Sequence, residues 1–372
     1  MNFEFSEAQT QLRSVVSRLL RDRAPVLATR QVIDRAEPFD RDLWRELARL
    51  GFLGVALPET YGGADAGHLE LCVVAEELGR SLAAVPFVSA ISFGAELIRS
   101  VGTEAQRQAV LPRVTAGELI VSVAVVEGPG NPSPANVAMT VSAEGALYGT
   151  VWPVLDGTVA GRVILPARDS RDRLSLFLVD TADPGITCEA LESLDPTRGQ
   201  ARITLHGARG EPLGAPGQGW AHLEAALDRA AIVTAFEQIG GAAAALEMAR
   251  GYAFEREAFG RKIGSFQSIK HKLVDMWVAI ELARSNALFG AWSLTTASSS
   301  LPYAGAAARV SATQAHQLCT KENIQIHGGM GFTWESDCHL HHRRAQLLAV
   351  SLGGLSYWQD RLVHQLRQER AA

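Results

Sequence analysis

The sequence predicts an α+β protein, mainly α, in three consecutive parts: an N-terminal helical domain, a middle small β-domain and a C-terminal helical bundle. Three observations carry this. Apolar residues recur at helical spacing up to about residue 117, as in Leu12, Val15, Val16, Leu19 and Leu20. Short β-branched runs replace that spacing between about 118 and 216, with Gly and Pro clusters at strand-like intervals. From Trp220 the helical period returns and stays. The expected domains are therefore 1–117, 118–216 and 217–372.

Taken in order, Ser6-Glu7-Ala8-Gln9 forms a capping box that opens an amphipathic helix. Asp40 caps a second helix, whose Leu43, Leu47 and Leu50 are expected to face the core and whose stop is Gly51. Leu71, Val74 and Leu78 belong to a third helix, a fourth lies between Phe87 and Arg99, and Thr103-Glu104-Ala105-Gln106 caps a fifth. Strands are expected at Ile120 to Val126, at Leu174 to Val179 and at Arg202 to His206, where polar and apolar residues alternate. One long helix then carries Leu223, Leu227, Ile232, Ile239 and Leu246 and ends near Phe254. A second carries Leu273, Trp277, Ile280 and Leu288, and a third runs from Ala304 to Ile326. The small residues from Gly240 to Ala245 allow close helix approach, as a bundle needs.

Composition bounds the function. A chain of 372 residues, 47% apolar and 20% charged, is an ordinary globular protein with room for two or three domains. A formal charge of −5 leaves no electrostatic footprint for nucleic acid. Cys72, Cys188, Cys319 and Cys338 show no CxxC spacing and suggest no disulfide scaffold, which favours a reducing compartment. Residues 1–23 carry charges throughout, so a signal peptide is not expected, and the apolar run from Leu347 to Trp358 is too short to span a bilayer. A cytoplasmic location is the expectation.

Two stretches suggest chemistry. In Arg256 to Met276 three cations, Arg256, Arg261 and Lys262, are interleaved with Phe259, Gly260, Gly264 and Phe266. Arginine offers a planar fork of donors to phosphate, and aromatic faces offer a stacking surface, so the mixture suits a ligand with both phosphate and a flat ring. The plainer alternative is a basic helix–helix turn with an aromatic plug. In Lys321 to Glu335, Gly328, Gly329 and Gly331 surround Met330, and glycines let backbone N–H groups approach a phosphate. Because a helix precedes this turn, it is not a dinucleotide-binding fingerprint of the strand–turn–helix kind. The run Cys338-His339-Leu340-His341-His342 reads better as a polar helix surface or subunit contact than as a metal site, because adjacent helical residues diverge and Arg343-Arg344 would oppose a cation.

Together, R-x-x-F-G-x-x-I-x-x-x-Q and the later Q-I-H-G-G-x-G-F resemble the acyl-CoA dehydrogenase family of flavoproteins. Pro58-Glu59-Thr60-Tyr61-Gly62-Gly63 and Asp195-Pro196-Thr197-Arg198 extend the resemblance over nearly the whole chain. It implies FAD as cofactor, with its pyrophosphate and adenosine end held by Arg256, Phe259, Gln267, Gln325, Gly328 and Gly329, largely across a subunit boundary. It implies an acyl-CoA substrate desaturated between Cα and Cβ, an electron-transfer flavoprotein as electron acceptor, and a homo- or heterotetramer. His327 would position backbone, and residues 58–67 would shape the mouth of the acyl site.

The chain also departs from the family. Leu352 stands where the usual catalytic Glu belongs, and the other familiar position for the base falls at Ala230. Asp228 is two residues from it, roughly 200° around a helix, and should point elsewhere. The family's T-E-x-x-x-G-S-D segment reads Val126-Glu127-Gly128-Pro129-Gly130-Asn131, and its W-I-T aligns with Pro153-Val154-Leu155, or one residue off with Trp152, losing a hydroxyl donor in either register. The catalytic residue stays unassigned. Two readings follow: an FAD-dependent dehydrogenase with its base elsewhere, or a non-catalytic partner of the kind found in α2β2 enzymes acting on sterol side-chain CoA esters.

Overall fold

A computed structural model of the chain describes residues 5–23 and 26–371. The first part holds α1 (Glu7–Arg23), α2 (Val26–Asp34), α3 (Arg41–Arg49), α4 (His68–Arg80), a π-helical segment Val88–Ala95 running into α5 (Glu96–Val101), and α6 (Glu104–Thr115). The expected caps are formed. Ser6 and Gln9 bond reciprocally, as do Thr103 and Gln106, and the Asp40 carboxylate accepts from the Leu43 N–H at 2.9 Å. Gly51 ends α3 in the left-handed region at φ 78°. Leu50, expected in the core, is exposed instead, because the helix has already turned it past the buried stripe of Leu43, Trp44 and Leu47.

The middle part contains β1 (Val121–Val123), β2 (Thr140–Val141), β3 (Ala146–Leu155), β4 (Arg162–Arg168), β5 (Leu174–Asp180), β6 (Ile186–Leu191) and β7 (Gln200–Leu213). The sheet order is β1-β4-β2-β3-β7-β5, with β6 added on β7. An extra β4–β5 pairing closes the strands on themselves, which removes most exposed edges. Where β3 crosses β7 the register slips: Val151 faces Ile203 and Val154 faces Ala201, so Trp152 and Pro153 together oppose Arg202. This is a β-bulge, a device that re-aims side chains at sites.

The last part is a bundle of α7 (Gly219–Glu255), α8 (Gln267–Thr295), α9 (Leu301–His327), α10 (Cys338–Val350) and α11 (Leu355–Ala371), with a small hairpin of β8 (Glu257–Ala258) and β9 (Arg261–Lys262) after α7. Helix α7 crosses α4 through reciprocal glycines. A Cβ on Gly79 would lie 1.9 Å from the Glu237 carbonyl, and one on Gly240 would lie 1.9 Å from the Glu76 carbonyl. Only glycine permits that approach, which explains the small-residue stretch beginning at Gly240. The expected α8 face is only half buried: Ile280 is in the core, but Trp277 is exposed.

Candidate functional site

Three features bear on chemistry: an exposed hairpin with a glycine turn, a partly open and mainly apolar cavity, and a buried ionic cluster beside the cavity. The hairpin follows from its sequence. Strands β8 and β9 pair Glu257 with Lys262 and Ala258 with Arg261, leaving a two-residue turn, Phe259-Gly260. Both turn residues have positive φ, 53° and 76°, as a type I′ turn requires. Glycine suits this conformation and phenylalanine does not, so Phe259 is strained, and it is also 95% exposed. Strain on an exposed aromatic ring marks a surface made for a ligand or partner rather than for stability. Arg261 lies 4.0 Å over the Phe266 ring, and Lys262 bonds the Glu255 carbonyl at 3.0 Å.

The glycine turn is adjacent. The His327 ring, held by its Nδ1 against the Asn323 carbonyl at 2.9 Å, stacks 4.2 Å from Tyr252 on α7. This joins the end of α9 to the end of α7, a few residues before the hairpin. Gly331 must be glycine, since a Cβ there would meet the Ile324 carbonyl at 2.7 Å. Gly328 and Gly329 are different: a Cβ on either meets nothing, so their backbone lies open. The fold brings the two sequence motifs together, and Arg256, Phe259, Gln267, Gln325, Gly328 and Gly329 are all exposed. Open glycine backbone beside cations and a presented aromatic ring fits the pyrophosphate and adenosine end of a flavin dinucleotide.

The cavity, about 240 Å³, lies between the π-helical segment (Val88, Ser89, Phe93), the β-domain (Val123, Val125, Val126, Gly128, Pro129, Gly130, Pro153, Leu155, Gln200) and the end of α10 with the turn after it (Leu347, Val350, Ser351, Leu352, Gly353). It shares no residue with the hairpin or the glycine turn. None of its lining residues is titratable. Leu352 forms part of the wall with φ 60°. Asp228 is committed elsewhere, its Oδ1 accepting from Arg361 at 2.6 Å, and burial pushes it up to about 6 against the pull of that guanidinium. Residues 58–67, expected at the mouth of this site, do not line it; the Thr115 hydroxyl donates to the Tyr61 carbonyl at 3.1 Å, tying the loop to α6 instead.

Beside the cavity sits a network that the sequence did not reveal. Arg198 donates to Asp156 at 2.7 and 3.2 Å and reaches Glu237 at 3.4 Å. Arg344 donates to Asp195 at 2.5 Å, to Thr197 at 2.6 Å and to Glu237 at 3.2 Å. Ser89, in the cavity wall, donates to Asp156 at 2.5 Å. Burial would raise the Asp195 carboxyl, but the Arg344 guanidinium and the Thr197 hydroxyl and N–H hold it below the usual range. Asp195-Pro196-Thr197-Arg198 is thus a clamp between all three parts of the fold. The stretch 338–342 also needs correction: Cys338, Leu340 and His341 are buried, so α10 is an internal element and not a polar surface.

Arg309, fully buried on α9, donates to the carbonyls of Leu348 and Ser351, the latter at 2.7 Å, and to Gln238 at 2.5 Å. It thereby fixes the turn that carries Leu352. A lone cation inside the alanine-rich run Gly305 to Ala312 was the available signal.

The three-part architecture, helical domain, β-domain and helical bundle, is that of a known class of chains. The acyl-CoA dehydrogenase N-terminal domain matches residues 6–118 and the C-terminal domain residues 217–361. The acyl-CoA dehydrogenase IpdE2 of Mycobacterium tuberculosis is 31% identical over 340 residues, covering 91% of each chain. Among solved structures, the Tcur3481-Tcur3483 steroid ACAD is 31% identical with a TM-score of 0.89, covering 98% of this chain and 99% of that one. The ChsE4-ChsE5 complex of Mycobacterium tuberculosis is 27% identical with a TM-score of 0.89, covering 99% of each. The chain belongs to the acyl-CoA dehydrogenase family.

Proposed function

We propose that this chain serves an FAD-dependent acyl-CoA dehydrogenase that desaturates a CoA thioester between Cα and Cβ and passes electrons to an electron-transfer flavoprotein. Within it, the chain is the subunit that lends FAD-tail contacts, in a heterotetramer with a related chain that carries the base. The observation that carries this is the pairing of an open, cationic tail surface with a cavity whose wall has no titratable side chain. A thioester Cα–H needs a carboxylate within hydrogen-bond reach, and Leu352 cannot accept a proton.

Arg256 would pair with the pyrophosphate, Phe259 and Gln267 would pack and bond beside it, and Gln325 with the Gly328 and Gly329 backbone would hold the adenosine end. FAD, when bound, supplies the hydride acceptor. The cavity walls would receive the flavin ring where it meets the acyl group, while the Arg309-braced turn keeps Leu352 against that space. Two solved relatives named as pairs, one of them a steroid ACAD, support the heteromeric arrangement and a steroid or other lipid acyl group. The second reading, a self-sufficient dehydrogenase, keeps the same fold, cofactor and electron acceptor and takes its base from outside the cavity wall.

Anaerobic titration with a panel of acyl-CoAs, following the flavin absorption band, separates them. The chain alone should not bleach, and co-expression with a neighbouring dehydrogenase chain should restore bleaching. Bleaching by the chain alone would overturn the partner reading. In the flavin-loaded chain, Leu352→Glu should introduce bleaching, slower than in the native complex by 10-fold or more, because the carboxylate would lack tuned surroundings.

A further inference from the structure

The bulge in β3 has a chemical outcome at the cavity. Beyond it, Leu155 pairs directly with Gln200 on β7. Directly opposed cross-strand residues hold their Cβ atoms about 5 Å apart, so the two occupy one patch of wall. Both line the cavity. The neighbouring pair, Val154 and Ala201, points into the barrel and is fully buried, which puts Leu155 and Gln200 on the opposite face.

The polar side chains of the cavity wall are Ser89, Gln200 and Ser351. The serine protons are committed, Ser89 to Asp156 at 2.5 Å and Ser351 to the Leu347 carbonyl at 2.8 Å. Gln200 makes no side-chain hydrogen bond among the described residues, so it brings two free donors and a free acceptor to an otherwise apolar space. An unspent carboxamide there complements a planar ring with carbonyl and ring-nitrogen edges. A hydrocarbon chain offers it nothing.

We propose that Gln200 hydrogen-bonds a heteroatom of the flavin ring, supplying from β7 the donor that Leu155 cannot supply from β3. The proposal rests on the flavin reading above, with a flavin ring seated in this chain's own cavity. It makes Gln200 a flavin-tuning residue in a position where the donor has crossed from one strand to its partner.

The test uses the flavin-loaded protein, alone or with its partner chain, and reads the midpoint potential and visible spectrum of bound flavin. Gln200→Leu should lower the potential and shift the visible band, because a donor that stabilises the electron-rich reduced ring is lost. Gln200→Glu, which keeps the size but removes the donors, should lower it at least as far and serves if the leucine variant fails to fold. Adding Leu155→Thr to Gln200→Leu should return the potential towards the native value. Flavin retained with unchanged potential and spectrum in both Gln200 variants would overturn this inference alone. Failure of every preparation, with or without partner, to bind flavin would overturn it together with the proposed function.

Discussion

His341 shows how a single buried residue can weaken the fold in acid. Its ring is fully buried, with Asp337, Arg344 and Asp195 as its charged neighbours, and burial pulls it down to about 4. His316, also buried and without a hydrogen-bond partner, is pushed down well below its ordinary value by burial and by the cations around it. A base with a depressed folded pKa binds its proton more readily when unfolded. Stability from His341 is therefore complete above pH 6.5 and is lost as pH falls through about 4, to a limit of about 3 kcal/mol. Urea unfolding at pH 7 and pH 5 should show this slope, and His341→Met should flatten it. An unchanged slope would mean that the ring is solvated or paired in solution. His341 was not distinguishable in the sequence, since its charged neighbourhood (His342, Arg343, Arg344) made the segment look like a surface.

At the scale of elements, helices and caps were legible because capping boxes and helical periods are local. Ser6, Asp40 and Thr103 all cap as their neighbours demand. The bulge at Trp152-Pro153, the β4–β5 closure and the crossing of α4 on α7 were not legible, because each depends on a partner distant in the chain. The candidate tail residues could be named from sequence motifs, but the two-residue turn that lifts Phe259 into solvent could not. That turn makes a clear prediction. Asn-Gly is the preferred pair for a type I′ turn, so Phe259→Asn should relieve the strain and raise stability by about 1 kcal/mol. The same change should weaken flavin retention severalfold, measured as flavin released on dilution. If stability fell instead, Phe259 would be packed in the free protein, contrary to its exposure.

The whole molecule presents an apolar face. Phe254, Val274, Trp277, Val278 and Leu282 are all exposed along the outer side of α7 and α8, beside a groove of about 670 Å³ edged by Arg80, Glu247, Arg250, Lys270 and Glu281. Clustered exposed hydrophobics rimmed by charge are the signature of a subunit interface. Trp277→Glu should lower the mass measured by light scattering on a size-exclusion column below that of the native assembly. An unchanged mass would place the interface elsewhere. No helix among the described residues is long and apolar enough to cross a membrane.

The hairpin and the cavity have no residue in common. If one chain's hairpin serves its neighbour's cavity, damage to either is recessive in a particular way. In the self-sufficient reading, where both come from copies of this chain, two alleles of this gene, one broken at Arg256 and the other in the cavity wall at Gly353, would each yield a defective product. Expressed in one cell they would assemble mixed oligomers in which an intact hairpin meets an intact wall, and the cell would recover a function that neither allele provides by itself.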